Sequence, residues 1–507
     1  MSEENRDIQV NTSAKSETSS YRSIFKATSL FGGVQIWKIL ITIVQTKFVA
    51  MILGPAGMGI KGLYSSATTF IQSITSMGLS NSAVRDVSEA HGTGDTLRVS
   101  RTVAVLRKLV WFTGMLGMLA VLFLSPVLSK TTFGDYTYTV PFLILSVTLL
   151  LQQLTAGQNV ILQGTRKLKY LAKAGVIGSL ISLVITVPFY YLWGIKGIVP
   201  TMVLEALSLF SLAYFYAKKV KTLPVKVSLK EAISEGKGMM SLGLVMTYNS
   251  MLVLGCSYLI RIYITHKGGI SDVGFFNAGF AVVNTYVNLI FSAMTTDFYP
   301  RLAAVNQDSD KCRQVVNQQI EVAALILGPM LLLFILIAPV AIVALYSQKF
   351  LPIIGFMRWA ALGVVFKALG WAISYQFVAK GDKKAYAINE TIANLLGLLL
   401  DVGGYLLWGI TGLGISFCLR KFLYFLLVLF VSYKRYGFNL SGDVVKITIT
   451  MHFCLLAVFL ILLLWKGWWT YIPCCVVLAL MCLYAYRGLD KRINIKQVFS
   501  SIKNRNK

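Results

Sequence analysis

The stretch Tyr190-Tyr191-Leu192-Trp193-Gly194-Ile195-Lys196-Gly197 returns 215 residues later as Tyr405-Leu406-Leu407-Trp408-Gly409-Ile410-Thr411-Gly412, with six of the eight positions identical. Each copy sits between two apolar segments, so the chain carries an internal duplication. Repeated halves in a polytopic chain build a central site between two bundles that rock against each other, and the repeat therefore points to transport before any single residue does.

Working outward from the repeat, the composition places the chain in a bilayer. Hydrophobic residues make up 56% of the 507 and charged residues 14%. The apolar residues fall in runs long enough to cross about 30 Å of hydrocarbon, which takes roughly 20 residues of helix. Fourteen such runs are expected, at 24–49, 57–80, 103–128, 138–163, 170–192, 197–217, 239–263, 273–296, 319–346, 352–379, 385–408, 411–433, 446–465 and 468–486. The fold class is all-α, a polytopic membrane protein of about fourteen transmembrane helices.

The net charge of +27 would suggest nucleic acid in a soluble protein, but the basic residues collect in the terminal segments and in alternate loops such as Arg98 to Lys108, Arg166 to Lys173 and Lys218 to Lys237. The intervening loops carry only Lys130, Lys196, Lys267, Lys349 and Lys466. The positive-inside rule then puts both termini in the cytoplasm and makes the charge a topology signal, with no nucleic-acid partner. Residues 1–22 are polar and Ser/Thr-rich, and are read as a disordered cytoplasmic tail rather than a signal peptide. Six of the seven cysteines lie in apolar runs without metal-type spacing and the three histidines are scattered, which argues against disulfides, a metal or any other cofactor. The loops opposite the basic side are too short for a folded domain, and no phosphate-cradling glycine loop or nucleophile–base arrangement stands out. A membrane-embedded glycan-processing enzyme is accordingly the lesser alternative.

The duplication organises the chain. Residues 23–219 form one six-helix lobe, 220–238 a basic connector, 239–434 a second six-helix lobe, 445–486 two additional helices and 487–507 a basic cytoplasmic tail. Both lobes begin and end on the same side, so a pseudo-twofold axis along the membrane normal and a cavity between the lobes are expected.

Polar groups inside spans are costly, about 2.5–3.5 kcal/mol for a charge on insertion scales, and their geometry indicates what such a cavity holds. At 100° per residue Lys61, Ser65, Thr68, Gln72 and Thr75 fall on one stripe, as do Asn277, Asn284, Asn288 and Thr295. A shift of 216 maps Lys61 onto Asn277, Thr68 onto Asn284, Gln72 onto Asn288 and Arg85 onto Arg301. Two related stripes running most of the membrane depth fit a hydrated wall; helix-to-helix hydrogen bonding is the competing reading. Lys38 and Lys367 lie near the middle of their spans, and Lys61, Arg261 and Arg358 in the outer halves, against few buried acids, chiefly Glu205, Glu390 and Asp401. Snorkelling to the interface is the competing reading for Lys47 and Arg261. Asp401 and Arg420 sit at similar depth on two arms of one hairpin and read as a structural ion pair. Glu205 occupies the register of Arg420 in the first copy; it is the candidate for Na⁺ or H⁺ coupling, with interhelical hydrogen bonding as the alternative. The candidate substrate-binding residues are Lys38, Lys61, Gln72, Arg261, Asn284, Asn288 and Lys367.

The segment Phe48-Val49-Ala50-Met51-Ile52-Leu53-Gly54-Pro55-Ala56-Gly57-Met58-Gly59, followed by Gly78-Leu79-Ser80-Asn81-Ser82-Ala83-Val84-Arg85, resembles the start of bacterial O-antigen and related polysaccharide translocases. These belong to the superfamily that also holds multidrug and toxin extruders and lipid II flippases. The resemblance extends through both halves, including the turns Leu162-Gln163-Gly164 and Ala379-Lys380-Gly381. It implies a flippase that moves a polyprenyl-diphosphate-linked oligosaccharide across the inner membrane by alternating access, with cavity cations receiving the diphosphate. Membrane lipids, a polysaccharide polymerase and chain-length machinery are the partners it implies. The alternative is a cation-coupled multidrug extruder. Such exporters tend to bind cations with buried acids, whereas the first span carries Lys38 and Lys47 and neither Asp nor Glu, which favours an anionic substrate.

Overall fold

The computed structural model describes the backbone of residues 4–465 and 467–493, and side chains from Trp37 to Arg492 apart from Lys466 and from Thr285, Tyr286, Leu289, Ala293 and Thr296. The side chains of the expected N-terminal tail, and the basic C-terminal tail from residue 494, lie outside the described residues. The described chain is helical throughout: α1 (Glu4–Thr75), α2 (Leu79–Gly92), α3 (Thr96–Phe133), α4 (Thr139–Gly164), α5 (Leu168–Trp193), α6 (Ile198–Ala217), α7 (Leu229–Gly268), α8 (Ile270–Ala304), α9 (Ser309–Leu345), α10 (Ile354–Ala379), α11 (Lys383–Tyr436), α12 (Gly442–Leu464) and α13 (Tyr471–Ile493).

Among the described residues, ten helical segments are long and apolar enough to cross a membrane, rather than the fourteen separate runs expected. Continuity of the helix across breaks accounts for most of the difference. Trp37–Thr75, Leu168–Ala217 and Lys383–Tyr436 hold 39, 50 and 54 residues, the last two each containing two of the predicted runs and the first overlapping two. A straight helix of 54 residues would be about 80 Å long, far beyond one bilayer. Glycine interrupts each: Gly54 (φ 64°, ψ −168°) in α1, Gly194 (φ 53°, ψ −131°) between α5 and α6, and Gly409 (φ 56°, ψ −138°) in α11. At the last two the chain folds back on itself. Ser182 and Thr186 reach Glu205 across the first turn, and Ser416 and Arg420 reach Asp401 across the second. The helix α8, with five undescribed side chains, is not among the ten.

The chain divides into two compact units. One comprises Met1–Leu53 with Tyr64–Leu254, the other Gly54–Leu63 with Gly255–Lys507. In the first, α4 packs against α3, α6 and α2, and α5 against α6, around a core that includes Leu79, Leu106, Leu109 and Ile161. Glycine permits the close approach of α3 and α4: a Cβ on Gly157 would stand 2.9 Å from the Val110 side chain. The chain leaving α6 is tied down by the Leu223 N–H donating to Ser100 Oγ (2.8 Å) and, at the start of α7, by Arg101 paired with Glu235 (2.6 Å). Ser228 and Glu231 exchange the reciprocal bonds that open α7, so the second half of the connector is helix rather than loop.

In the second unit α10 packs against α8, α9 and α11, and α12 and α13 both lie on α9. Arg492 at the end of α13 pairs with Glu321 of α9 (2.6 Å), and Ser441, which caps α12, donates its N–H to Asn317 Oδ1 (2.9 Å) and its hydroxyl to Glu321 Oε1 (3.3 Å) of the same helix. The two additional helices are thereby fastened to α9 at their polar ends.

The sequence repeat has a counterpart in the backbone. Gly54 and Gly269, Arg166 and Gly381, and Gly194 and Gly409 have positive φ at equivalent positions. Asp95 caps α3 and Asp308 caps α9 in the same way.

Candidate functional site

Each unit holds its own polar cluster inside apolar helices. In the first, the clearest centre is Glu205 on α6. Its Oε1 accepts from Ser182 Oγ (2.6 Å) and Thr186 Oγ1 (2.5 Å) on α5 and from Gln45 Nε2 (3.1 Å) on α1. Gln45 Nε2 also lies 2.8 Å from Thr186 Oγ1 and 3.1 Å from Ser182 Oγ. Two helices, α5 and α1, thus bring three neutral polar side chains to one carboxyl oxygen carried by α6. Lys38 lies two turns before Gln45 in α1 and packs on α5, where a Cβ on Gly175 would fall 2.5 Å from its Nζ. Thr68 and Thr75 of the α1 stripe turn their hydroxyls back to their own helix, bonding Tyr64 O (2.8 Å) and Ile71 O (3.1 Å). That use does not tie neighbouring helices together. Gln72 is half-buried on the same stripe.

The second unit contains Lys61, Arg261 and Lys367. Lys61 belongs to the short piece Gly54–Leu63, which runs along α8: Gly59 abuts Ile270, and a Cβ on Gly62 would stand 1.9 Å from Asn277 Nδ2. Arg261 Nε donates to Asn277 Oδ1 (2.8 Å), Nη1 donates to Ser257 O (2.6 Å) and to the Ser257 hydroxyl, and the guanidinium stands 5.2 Å from the Phe276 ring centre. It is turned into its own unit, so snorkelling to the interface does not describe it. Lys367 Nζ donates to Asn288 Oδ1 (2.8 Å) and Asn284 Oδ1 (3.4 Å) and lies 5.5 Å from the Phe291 ring centre. The α8 stripe therefore presents its amides to two basic side chains, neither of which is paired with a carboxylate among the described residues.

Other intramembrane charges have different partners, and Arg420 meets an opposite charge. Arg420 Nη1 meets Asp401 Oδ2 at 3.2 Å and Ser416 Oγ donates to Asp401 Oδ1 at 2.7 Å, the structural pair expected from the hairpin. Arg358 reaches the Leu462 carbonyl on α12 (3.4 Å), which makes it a contact to the additional helices. Glu390 accepts from Tyr424 OH (2.6 Å).

Sequence reasoning missed the partners of Glu205, and it passed over Lys421, whose Nζ lies 5.8 Å and 5.9 Å from the Phe417 and Tyr424 ring centres. The signal for Thr186 was present. It precedes its turn glycine, Gly194, by the same spacing as Asp401 precedes Gly409, and Glu205 follows Gly194 as Arg420 follows Gly409. The pairing assigned to the second hairpin, carried back through the repeat, would have placed Thr186 opposite Glu205.

The comparison with known families falls on this same scaffold. The family described as "Polysaccharide biosynthesis protein" matches residues 48–355, more than half of the chain. This chain belongs to that family. Among relatives, it is 23% identical over 375 residues to the "Lipid III flippase" of Escherichia coli, across 73% of this chain and 88% of the relative. Its fold is similar to that of the "Lipid II flippase MurJ", with a TM-score of 0.66 and 13% identity over 91% of this chain and 99% of that one. It is also similar to a multidrug resistance transporter of the MATE family in the MOP superfamily, with a TM-score of 0.63 and 16% identity over 79% of this chain and 94% of that one. Members of the fold therefore include both lipid flippases and multidrug transporters, and the fold alone does not distinguish them.

Proposed function

We propose that the protein is a flippase, not an enzyme, that moves a polyprenyl-diphosphate-linked oligosaccharide across the bacterial inner membrane by alternating access. The observation that carries the reading is the way the second unit holds its cations. Arg261 rests on Asn277 and Lys367 on Asn284 and Asn288, amides that fix the side chains without cancelling their charge. A diphosphate needs such charge, because phosphate oxygens stripped of water are stabilised by charge-assisted hydrogen bonds, and Asn and Gln side chains suit sugar hydroxyls. The contrast with Arg420, spent on Asp401, separates binding cations from structural ones. Lys38, Lys61 and Gln72 complete the proposed substrate-binding set, and the family membership and the flippase relative support the same reading over drug export.

In this proposal both termini face the cytoplasm and Glu205 couples transport to Na⁺ or H⁺. The lipid tail stays in the bilayer while the head group is relayed, and the product passes to a polymerase with chain-length control.

The test is complementation of a flippase-deficient strain with membrane levels of the protein followed in parallel. Lys367→Ala is expected to abolish glycan export at undiminished membrane level, and Lys367→Arg to retain part of it because both cations pair with phosphate. Normal export by Lys367→Ala and Arg261→Ala at native expression would overturn the cationic-site reading.

A further inference from the structure

A polar cavity that the proposed function does not use lies at the end of the first unit that carries the basic loops. It measures about 550 Å³ and is formed by α3, α4, the end of α6 and the chain that follows, with Arg107, Lys218 and Lys221 in its lining and no acidic residue. Arg107 stands near the start of the apolar part of α3, and Lys218 follows α6 directly, so the cavity sits at the depth where span gives way to polar chain. Trp111 and Tyr214, each about half exposed at 50% and 49%, also line it, the aromatic residues expected at a membrane interface. The remaining wall is apolar, including Val110 and Phe210. At its floor Gln158 is 7% exposed, and its Oε1 accepts no hydrogen bond from any described residue.

From these features we infer that the cavity binds the head group of a glycerol-bearing anionic phospholipid of the phosphatidylglycerol class. Three cations call for a phosphate, and basic pockets between helices at an interface suit phospholipid head groups. The buried Gln158 oxygen adds a requirement that a phosphodiester group by itself does not meet. It needs a donor, since a buried acceptor is costly to leave unpaired, and the oxygens of an ionised phosphodiester only accept. The glycerol hydroxyls of this head group supply the donor next to the phosphate, while the apolar wall and the exposed aromatics run alongside the acyl chains. A choline head group offers neither net negative charge nor a hydroxyl.

Native mass spectrometry of the delipidated full-length protein, titrated with defined lipids, tests the site. The wild type is expected to retain phosphatidylglycerol more tightly than phosphatidylmethanol, an anionic phosphodiester without a hydroxyl, or phosphatidylcholine, and inorganic phosphate at equal concentration should not displace it. Replacing Arg107, Lys218 and Lys221 together by Ala should weaken phosphatidylglycerol retention at least tenfold. Gln158→Leu should weaken it severalfold while leaving phosphatidylmethanol binding unchanged, a split that a merely structural glutamine would not produce. The proposal is overturned if the triple variant holds phosphatidylglycerol as the wild type does, or if phosphatidylglycerol and phosphatidylmethanol bind the wild type equally. If the triple variant fails to fold, the Gln158→Leu comparison decides alone: equal loss of both lipids, or of neither, rejects the site.

Discussion

At the level of single residues, Glu205 and Arg420 show how a duplicated scaffold takes opposite chemistry at one register. Arg420 has a carboxylate partner across its hairpin, whereas Glu205 accepts from the hydroxyls of Ser182 and Thr186 and the amide of Gln45. Among the described residues, the carboxyl of Glu205 forms no ion pair, which supports its proposed role in coupling. Glu205→Gln keeps the size and most of the hydrogen bonds while removing the charge. The expected outcome, measured by head-group translocation in proteoliposomes under an imposed ion gradient, is that transport loses its dependence on the gradient while the variant still inserts and folds. Gradient-driven transport at the wild-type rate would remove Glu205 from coupling. Unlike Lys367, whose stripe could be read from helical periodicity alone, Glu205 is surrounded by groups 19, 23 and 160 residues away, so its cluster appears only once the hairpin and α1 are folded together.

At the level of elements, turns decide how the apolar runs are used. Hydrophobic length located the spans, yet it could not show that α11 carries its helix through the turn, because Trp408 and Gly409 change only two backbone positions in a 54-residue element. Gly409, with φ 56° and ψ −138°, occupies a region that side-chain-bearing residues avoid, and Gly194 does the same in the first copy. Gly409→Ala and Gly194→Ala should each cost about 1–3 kcal/mol through backbone strain alone, since neither position has neighbouring atoms for a methyl group to strike. Thermal unfolding in detergent is the measurement, with Gly403→Ala, a helical position of equal room, as the control that should change little.

The other end of α11 is held by Asp382. Its carboxylate accepts from Ala385 N–H (3.0 Å), Arg435 Nη1 (2.6 Å) and Tyr436 OH (2.8 Å), closing the helical hairpin at its polar end. Burial alone would raise its pKa, but the Ala385 N–H, the Tyr436 hydroxyl and Arg435 outweigh burial and hold it below the ordinary carboxylate value. A depressed folded-state pKa stabilises above the unfolded value, about 3.9, and the benefit fades as pH falls through the folded value. Asp382→Asn should thus be less stable than the wild type by about 1 kcal/mol at pH 7, with a gap that narrows as pH drops below about 4. The half-exposed Arg435 keeps that figure small. A gap independent of pH would mean that the charge does not contribute.

For the whole molecule, orientation in the membrane follows from the distribution of charge rather than from any fold feature. A cysteine introduced at Gly134, in the turn after α3, should react with an impermeant reagent added outside spheroplasts, and one introduced at Lys226 should react only after permeabilisation. The reverse pattern would invert the assigned topology. The internal repeat was legible because the turn sequence Trp-Gly-Ile recurs, and the polar stripes because period 3.6 survives in a single helix. Less legible was the assignment of Gly54–Leu63, which packs with α8 although it follows Leu53 directly in the chain. Gly59 and Gly62 mark that contact, but a glycine records close approach without naming the neighbour.

The Asp401–Arg420 pair also bears on how the chain is made. Each charge alone would burden membrane insertion by about 2.5–3.5 kcal/mol at mid-depth. Because the two lie on arms joined by one tight turn, they can neutralise each other as soon as the hairpin has been synthesised, before any later helix exists. The hairpin then enters the bilayer with these two charges already matched, a step that does not wait for α12 and α13 to arrive.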